Sequence, residues 1–160
     1  QVGFPDFLST IKAVSPQAPK SKEVEIKYYE GKQAVNHIYE EGLNAKEFRA
    51  YVNCHELSKV FPENENRFLE AHNKKNDMNI WEIMENSPEA REYIKKIPKK
   101  RYYHKFIPEG MNLSIIDYII FDGKVAIVNL EKHTTGVLIS NEHYYNNAKA
   151  LFEFVWQMLP

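Results

Sequence analysis

The apolar and polar positions follow a strand rhythm, then a helix rhythm, several times over. Val24, Ile26 and Tyr28 alternate with Glu23, Glu25 and Lys27, which predicts a strand ended by Gly31. Lys32 to Leu43 carries Val35, Ile38 and Tyr39 at helical spacing, and Glu47 to Val52 places Phe48, Ala50 and Val52 on one strand face. Strand, helix, strand with short turns implies a βαβ unit whose two strands pair in parallel. Glu56 to Lys75 reads as helix interrupted at Pro62, and Asn79 to Met84 as a short strand. Ser87-Pro88-Glu89-Ala90 is a helix start, with Ser as cap and Pro at the first helical position. Pro98 stops that helix after about Ile97, and Arg101 to Ile107 follows as a strand.

The strongest pattern lies between Ser114 and Asn141. Ile115 to Phe121 and Val125 to Leu130 are apolar strands joined at Asp122-Gly123, a hairpin turn pair, and Gly136 to Ile139 is a third strand. Both faces of the first two are apolar, which places them centrally in a covered sheet. Ser140 or Asn141 caps a last helix, where Tyr145, Ala148, Phe152, Val155 and Leu159 form the packing stripe and Trp156 lies at its edge. The sum is an α/β domain over residues 23–160: a mixed sheet of about six or seven strands with helices on its faces. Residues 1–22 read as a connector, with Phe4, Phe7, Leu8 and Ile11 on one helical stripe suited to dimerisation. Ser15, Pro16, Pro19 and Ser21 then form a tether.

Composition narrows the function. A length of 160 residues, 43% hydrophobic, suits one domain with one core. Lys and Arg number 21 against 22 Asp and Glu, so the domain lacks the basic excess with which a protein grips nucleic acid by itself. One cysteine, Cys54, permits no internal disulfide and fits a reducing cytoplasm. No apolar run is long enough to span a bilayer. The six histidines include no pair three or four residues apart, so no helix offers a metal site, and Cys54-His55 diverge on extended chain. No glycine-rich phosphate loop and no Gly-x-Ser-x-Gly turn is present, and nothing requires a cofactor. Lys95, Lys96, Lys99, Lys100, Arg101 and Lys105 surround Tyr102 and Tyr103. This run reads first as a charged helix end and second as a weak anion or partner patch at Lys99, Lys100, Arg101 and Lys105.

The segment Ile115 to Asn129, IIDYIIFDGKVAIVN, resembles the core hairpin of the phospholipase D-like superfamily, in which the strand carries His-x-Lys-x-x-x-x-Asp. With Asp122 on the motif's Asp, Ile115 stands at the nucleophilic His and Asp117 at the phosphate-steadying Lys. An aliphatic chain cannot attack phosphorus, and a carboxylate repels phosphate. His104-Lys105, the nearest His-Lys pair, lacks the spacing. More of the chain, through KYYEGKQAVNHIYEEGL, KEFRAYVN, DGKVAIVNLEKHTTGVLISN and FEFVWQML, is similar to the C-terminal domain of TrmB-type regulators. That resemblance implies a phospholipase D-like domain without the catalytic motif, in a homodimer. It also implies a small-molecule effector such as a sugar, and DNA bound only through a winged helix-turn-helix upstream of Gln1.

The chain is therefore expected to be a sensor and not an enzyme. Its pocket is expected at the carboxyl ends of parallel strands. Tyr29 and Glu30 follow the first strand, Asn53, Cys54 and His55 follow the second, and Asp117 in the old catalytic slot would accept hydroxyl hydrogen bonds. The alternatives are a divergent phosphodiesterase or nuclease working through His104 and Lys105, and a docking module using the aromatic final helix (Tyr144, Tyr145, Phe152, Phe154, Trp156).

Overall fold

A computed structural model describes residues 23–75 and 77–160. The proposed connector over 1–22 lies outside the described residues. The elements in chain order are β1 (Glu25–Glu30), α1 (Lys32–Gly42), β2 (Glu47–Val52), α2 (Cys54–Val60), α3 (Asn64–Lys74) and β3 (Asn79–Met84). They continue with α4 (Pro88–Lys96), β4 (Tyr102–Phe106), β5 (Ile116–Phe121), β6 (Lys124–Asn129), β7 (Thr135–Ser140) and α5 (Glu142–Met158). Among the described residues the strands form one seven-stranded mixed sheet in the order β1-β7-β6-β5-β2-β3-β4.

Local chemistry sets many of the boundaries. Asn53 caps α2 by accepting from the Glu56 N–H at 3.0 Å, and Ser87 caps α4 by accepting from Ala90 N–H at 3.1 Å, with Pro88 just inside. The Asn141 side chain caps α5, accepting from His143 and Tyr144 N–H. Pro62 falls between α2 and α3, where the helical stretch breaks. Asp122 and Gly123 both have positive φ, 38° and 78°, as a tight primed hairpin turn between β5 and β6 requires.

One topological expectation is corrected. β1 and β2 do not pair: β7, β6 and β5 lie between them. The antiparallel steps from β1 to β7, β6, β5 and β2 leave the two strands pointing the same way, which is all the strand-helix-strand pattern can encode. True parallel pairing occurs at β2-β3 and β3-β4. A second correction concerns Cys54-His55, which begin α2 instead of lying on extended chain.

The two sheet faces bury different clusters. On one, α1 supplies Val35, Ile38 and Tyr39, α3 Phe68, and α4 Ala90 and Tyr93, packed over Phe48, Ala50, Ile80 and Ile119. Close approach of α1 to β7 depends on Gly136, where an added Cβ would lie 2.6 Å from the Ile38 Cδ1. On the other face α5 lays Ala148 and Phe152 over Ile83, Ile120 and Val125. Burying a side chain the size of Phe152 contributes about 1.5–3 kcal/mol. β1 is the exception to the covered pattern: its alternating Ile26 and Tyr28 are each 62% exposed, and Tyr29 is the residue that packs on the core.

Candidate ligand-binding site

A cleft lies over one face of the sheet, along β2 and the middle of β3, beneath α1, α2, α3 and α4. It is narrow and partly open to solvent. Its floor comes from the sheet (Ala50, Val52, Glu82, Asp117, Ile119), and its walls from Tyr39 on α1, from α2 and α3, and from Tyr93 on α4. The parallel β2-β3 pair sends α2 and α4 back over the same sheet face, and the cleft lies between that face and the helices.

Two carboxyl groups lie at the bottom. Asp117, at the start of β5, is 1% exposed. Its Oδ1 accepts from the Asn53 backbone N–H at 3.0 Å and its Oδ2 from the Tyr39 hydroxyl at 2.8 Å. Burial pushes its pKa up to about 7, against the pull of those two hydrogen bonds, and the charges of Glu82 and Glu85 add to the rise. Glu82, in the middle of β3, is 4% exposed and accepts from the Tyr102 hydroxyl at 2.7 Å. Burial pushes it up to about 7 as well, opposed by hydrogen bonds from Tyr102 and Tyr93. The phenols of Tyr39, Tyr93 and Tyr102 are held protonated, first by burial and then by the neighbouring acids. Burial likewise raises the Cys54 thiol, so it stays a thiol and a weak nucleophile.

Two polar atoms in the lining have no hydrogen-bond partner. They are Asn64 Nδ2, on a side chain that starts α3 and is 3% exposed as a residue, and Glu89 Oε2 on α4. A buried donor or acceptor left without a partner costs about 1–3 kcal/mol. A ligand with one donor and one acceptor would satisfy both.

The residues nominated from sequence are placed as follows. Asp117 and Cys54 line the cleft. Asn53 lies beneath it, fixing Asp117 through its N–H and donating its side-chain amide to Ser114 O at 3.1 Å. His55 stands exposed outside, its Nδ1 3.0 Å from Glu89 Oε1, an interaction that holds the Glu89 carboxyl below its ordinary value. Tyr29 and Glu30 are elsewhere: Tyr29 packs on the core, and Glu30 meets His133 Nε2 at 2.8 Å on the surface. In the basic run, Lys99 and Lys100 are exposed, and Arg101, at φ 59°, donates to Lys75 O at 3.2 Å. Lys105 points across the sheet to α5, donating to Trp156 O and Leu159 O, both at 2.8 Å. His104 and Lys105 thus sit on opposite faces of β4, and neither reaches the cleft.

Sequence reasoning missed Glu82, Asn64, Tyr39 and Tyr93. Glu82 carried a readable signal, as a lone acid in the apolar run Ile80-Trp81-Glu82-Ile83-Met84. Asn64 carried none, since its role comes from the fold bringing the first turn of α3 against β3. Among the described residues no group of three or more His, Cys, Asp or Glu side chains is placed to hold a metal ion. No helix there is long and apolar enough to cross a membrane.

The sequence matches no family model and no curated protein. The architecture does match solved structures. A phospholipase D family member, Nuc from Salmonella typhimurium, superposes with a TM-score of 0.65 at 11% identity, over 86% of this chain and 97% of that one. The fold is phospholipase D-like. NucT from Helicobacter pylori superposes at 0.61 with 10% identity, over 86% of this chain and 98% of its own. TrmBL2, an archaeal chromatin protein with a novel mode of DNA binding, superposes at 0.58 with 12% identity over 97% of this chain. The present chain spans 60% of TrmBL2's length.

These neighbours overturn the expectation that the chain is not an enzyme. The architecture is shared with a phospholipase D family member and also with the polyphosphate kinase of Porphyromonas gingivalis (TM-score 0.56, 10% identity), so it gives no ground for excluding catalysis. The replacement of the His and Lys positions by Ile115 and Asp117 bears on one mechanism only.

Proposed function

We propose that the chain is the ligand-binding regulatory domain of a TrmB-like transcriptional regulator. One observation carries this reading: an apolar cleft over β2 and the middle of β3 with two buried carboxyls at its base and an unpartnered Asn64 amide nitrogen in its wall. Small-molecule sites have this character, mostly apolar lining with a few convergent polar groups. Likeness to TrmBL2 along nearly the whole chain supports the regulatory context, with DNA contacted by a domain outside this one. The formal charge of −1 agrees with that division of labour.

In mechanism, the ligand would bind one arrangement of a homodimer better than another and shift its population. Coupling of about 1–3 kcal/mol is the ordinary scale for such a switch. A thermal-shift screen of the chain against sugars, nucleotides, amino acids and amines tests the reading. Saturable stabilisation by one class supports it, and a flat response to all of them removes it.

The fold shared with a phospholipase D family member favours a second reading, a phosphodiesterase. Turnover of a generic phosphodiester by the purified chain would select it, and no turnover would remove it.

A further inference from the structure

We infer that the cleft between β2, β3 and the helices α2 to α4 selects a small organic cation: an ammonium group on an apolar body that also carries a hydroxyl. This rests on the reading of the cleft as a ligand site and specifies its chemistry.

Charge is the first ground. The lining contains the acids Glu65, Glu82, Glu89 and Asp117 and no lysine, arginine or histidine. The outer two acids are already matched: Glu65 meets Lys96 Nζ at 2.7 Å and Glu89 meets His55 at 3.0 Å. The inner two are not. Glu82 is held by phenols, and Asp117 by a phenol and a backbone N–H, so no cation compensates either. Burial drives both toward their neutral forms, and an ammonium brought against either would let it ionise. An anion would meet only repulsion. A neutral polyol could satisfy hydrogen bonds but would leave the buried carboxyls protonated.

The aromatic walls are the second ground. Tyr39 and Phe61 lie with centroids 5.1 Å apart and Phe48 and Phe68 5.0 Å apart, and all four rings line the cleft. Such faces attract cations and accept an apolar body. Lys32 already uses Phe61 in this way from the outside, its Nζ 5.7 Å from the ring centroid. The third ground is the pair of unpartnered atoms. Asn64 Nδ2 needs an acceptor, which a ligand hydroxyl provides, and Glu89 Oε2 needs a donor.

The groups that set the pH response face the site from every surrounding element. They are Tyr39 on α1, Cys54 on α2, Glu65 on α3, and Glu82 on β3 with Glu85 just beyond it. Tyr93 and Glu89 on α4, Tyr102 on β4 and Asp117 on β5 belong with them, as do His55 against Glu89 and Lys96 against Glu65. The two inner carboxyls are each pushed up to about 7, so cation binding expels protons and strengthens as the pH rises through about 7.

The experiment is calorimetric titration of the full chain with three probes that share a 4-hydroxyphenyl ring and a short arm: tyramine, tyrosol and 4-hydroxyphenylacetate. Their heads are ammonium, hydroxyl and carboxylate. Tyramine is expected to bind about tenfold tighter than tyrosol, since charge-assisted hydrogen bonds exceed neutral ones by roughly that factor. It should bind more tightly at about pH 8 than at about pH 6, with proton release, because the carboxyls titrate between. The carboxylate should not bind. Glu82→Gln, checked for folding by circular dichroism, should reduce the preference for tyramine over tyrosol. Equal or tighter binding of tyrosol or of the carboxylate overturns the cation assignment and spares the ligand site. Binding by none of the three overturns the cation assignment, and the broader thermal-shift screen then decides the site independently.

Discussion

Replacing Glu82 by Gln isolates the cost of keeping a carboxyl inside the sheet. Glu82 is 4% exposed, and burial takes it from 4.5 to about 7. In the unfolded chain it ionises near its ordinary value, so between about pH 4.5 and about pH 7 the native state keeps a proton that the unfolded state has released. Stability is therefore highest below that window, falls as the pH climbs through it, and levels off above. Each pH unit in the window is worth about 1.4 kcal/mol for one group, so Glu82 costs about 3 kcal/mol by pH 8. Asp117, raised from 3.8 to about 7 by the same burial, acts with the same sign, and the charge of Glu82 adds a smaller push to its rise. His104 opposes them: burial lowers it, so its contribution grows as the pH rises through its ordinary value of 6.5. Glu47, Glu89 and Glu92 are lowered by their partners and titrate below the window. Glutamine keeps the shape and an oxygen for Tyr102 to donate to, but it cannot ionise. Urea denaturation at pH 5 and pH 8 should show the variant within about 1 kcal/mol of the wild type at the lower pH and about 2–3 kcal/mol more stable at the higher. A difference that is the same at both pH values would refute the reasoning.

Two further substitutions test the packing. Gly136→Ala places a methyl 2.6 Å from the Ile38 Cδ1, and urea melts should show a loss of about 1–3 kcal/mol as α1 is pushed off β7. Lys105→Ala leaves the carbonyls of Trp156 and Leu159 without their donor at the carboxyl end of α5. It should cost about 1 kcal/mol, with amide exchange accelerating in the last turn of that helix first.

Much of the layout was readable because its causes are local. Asp122-Gly123 adopts the positive φ angles that only a few residue types accept readily, and the hairpin followed from those two letters. Ser87-Pro88 and the break at Pro62 are equally local. The separation of β1 from β2 was not readable, because strand order depends on which edges pair across the whole chain. The exposure of Ile26 and Tyr28 was missed for a related reason: alternation marks a strand, but only its neighbours decide whether a face is covered. The site was legible in part. Asp117, singled out through the motif slot it occupies, and Cys54, singled out by its place after a strand, both line the cleft. Tyr29 and Glu30 were nominated by the same rule, but β1 lies at the far edge of the sheet, four places from β2. Lys105 shows how a charge run misleads, since its ammonium serves a helix end on the opposite face from the cleft.

The most direct test concerns the cleft as the binding place. Ser58 is exposed and contributes to the lining, so Ser58→Trp would fill the entrance without entering the core. The compound that most stabilises the wild-type chain should be titrated calorimetrically against both proteins, with circular dichroism confirming equal folding. Binding to the wild type that weakens by about tenfold or more in Ser58→Trp is the predicted result, since a blocked pocket loses most of its buried ligand contact. Undiminished affinity in the folded variant would contradict it and place the ligand somewhere else on the protein.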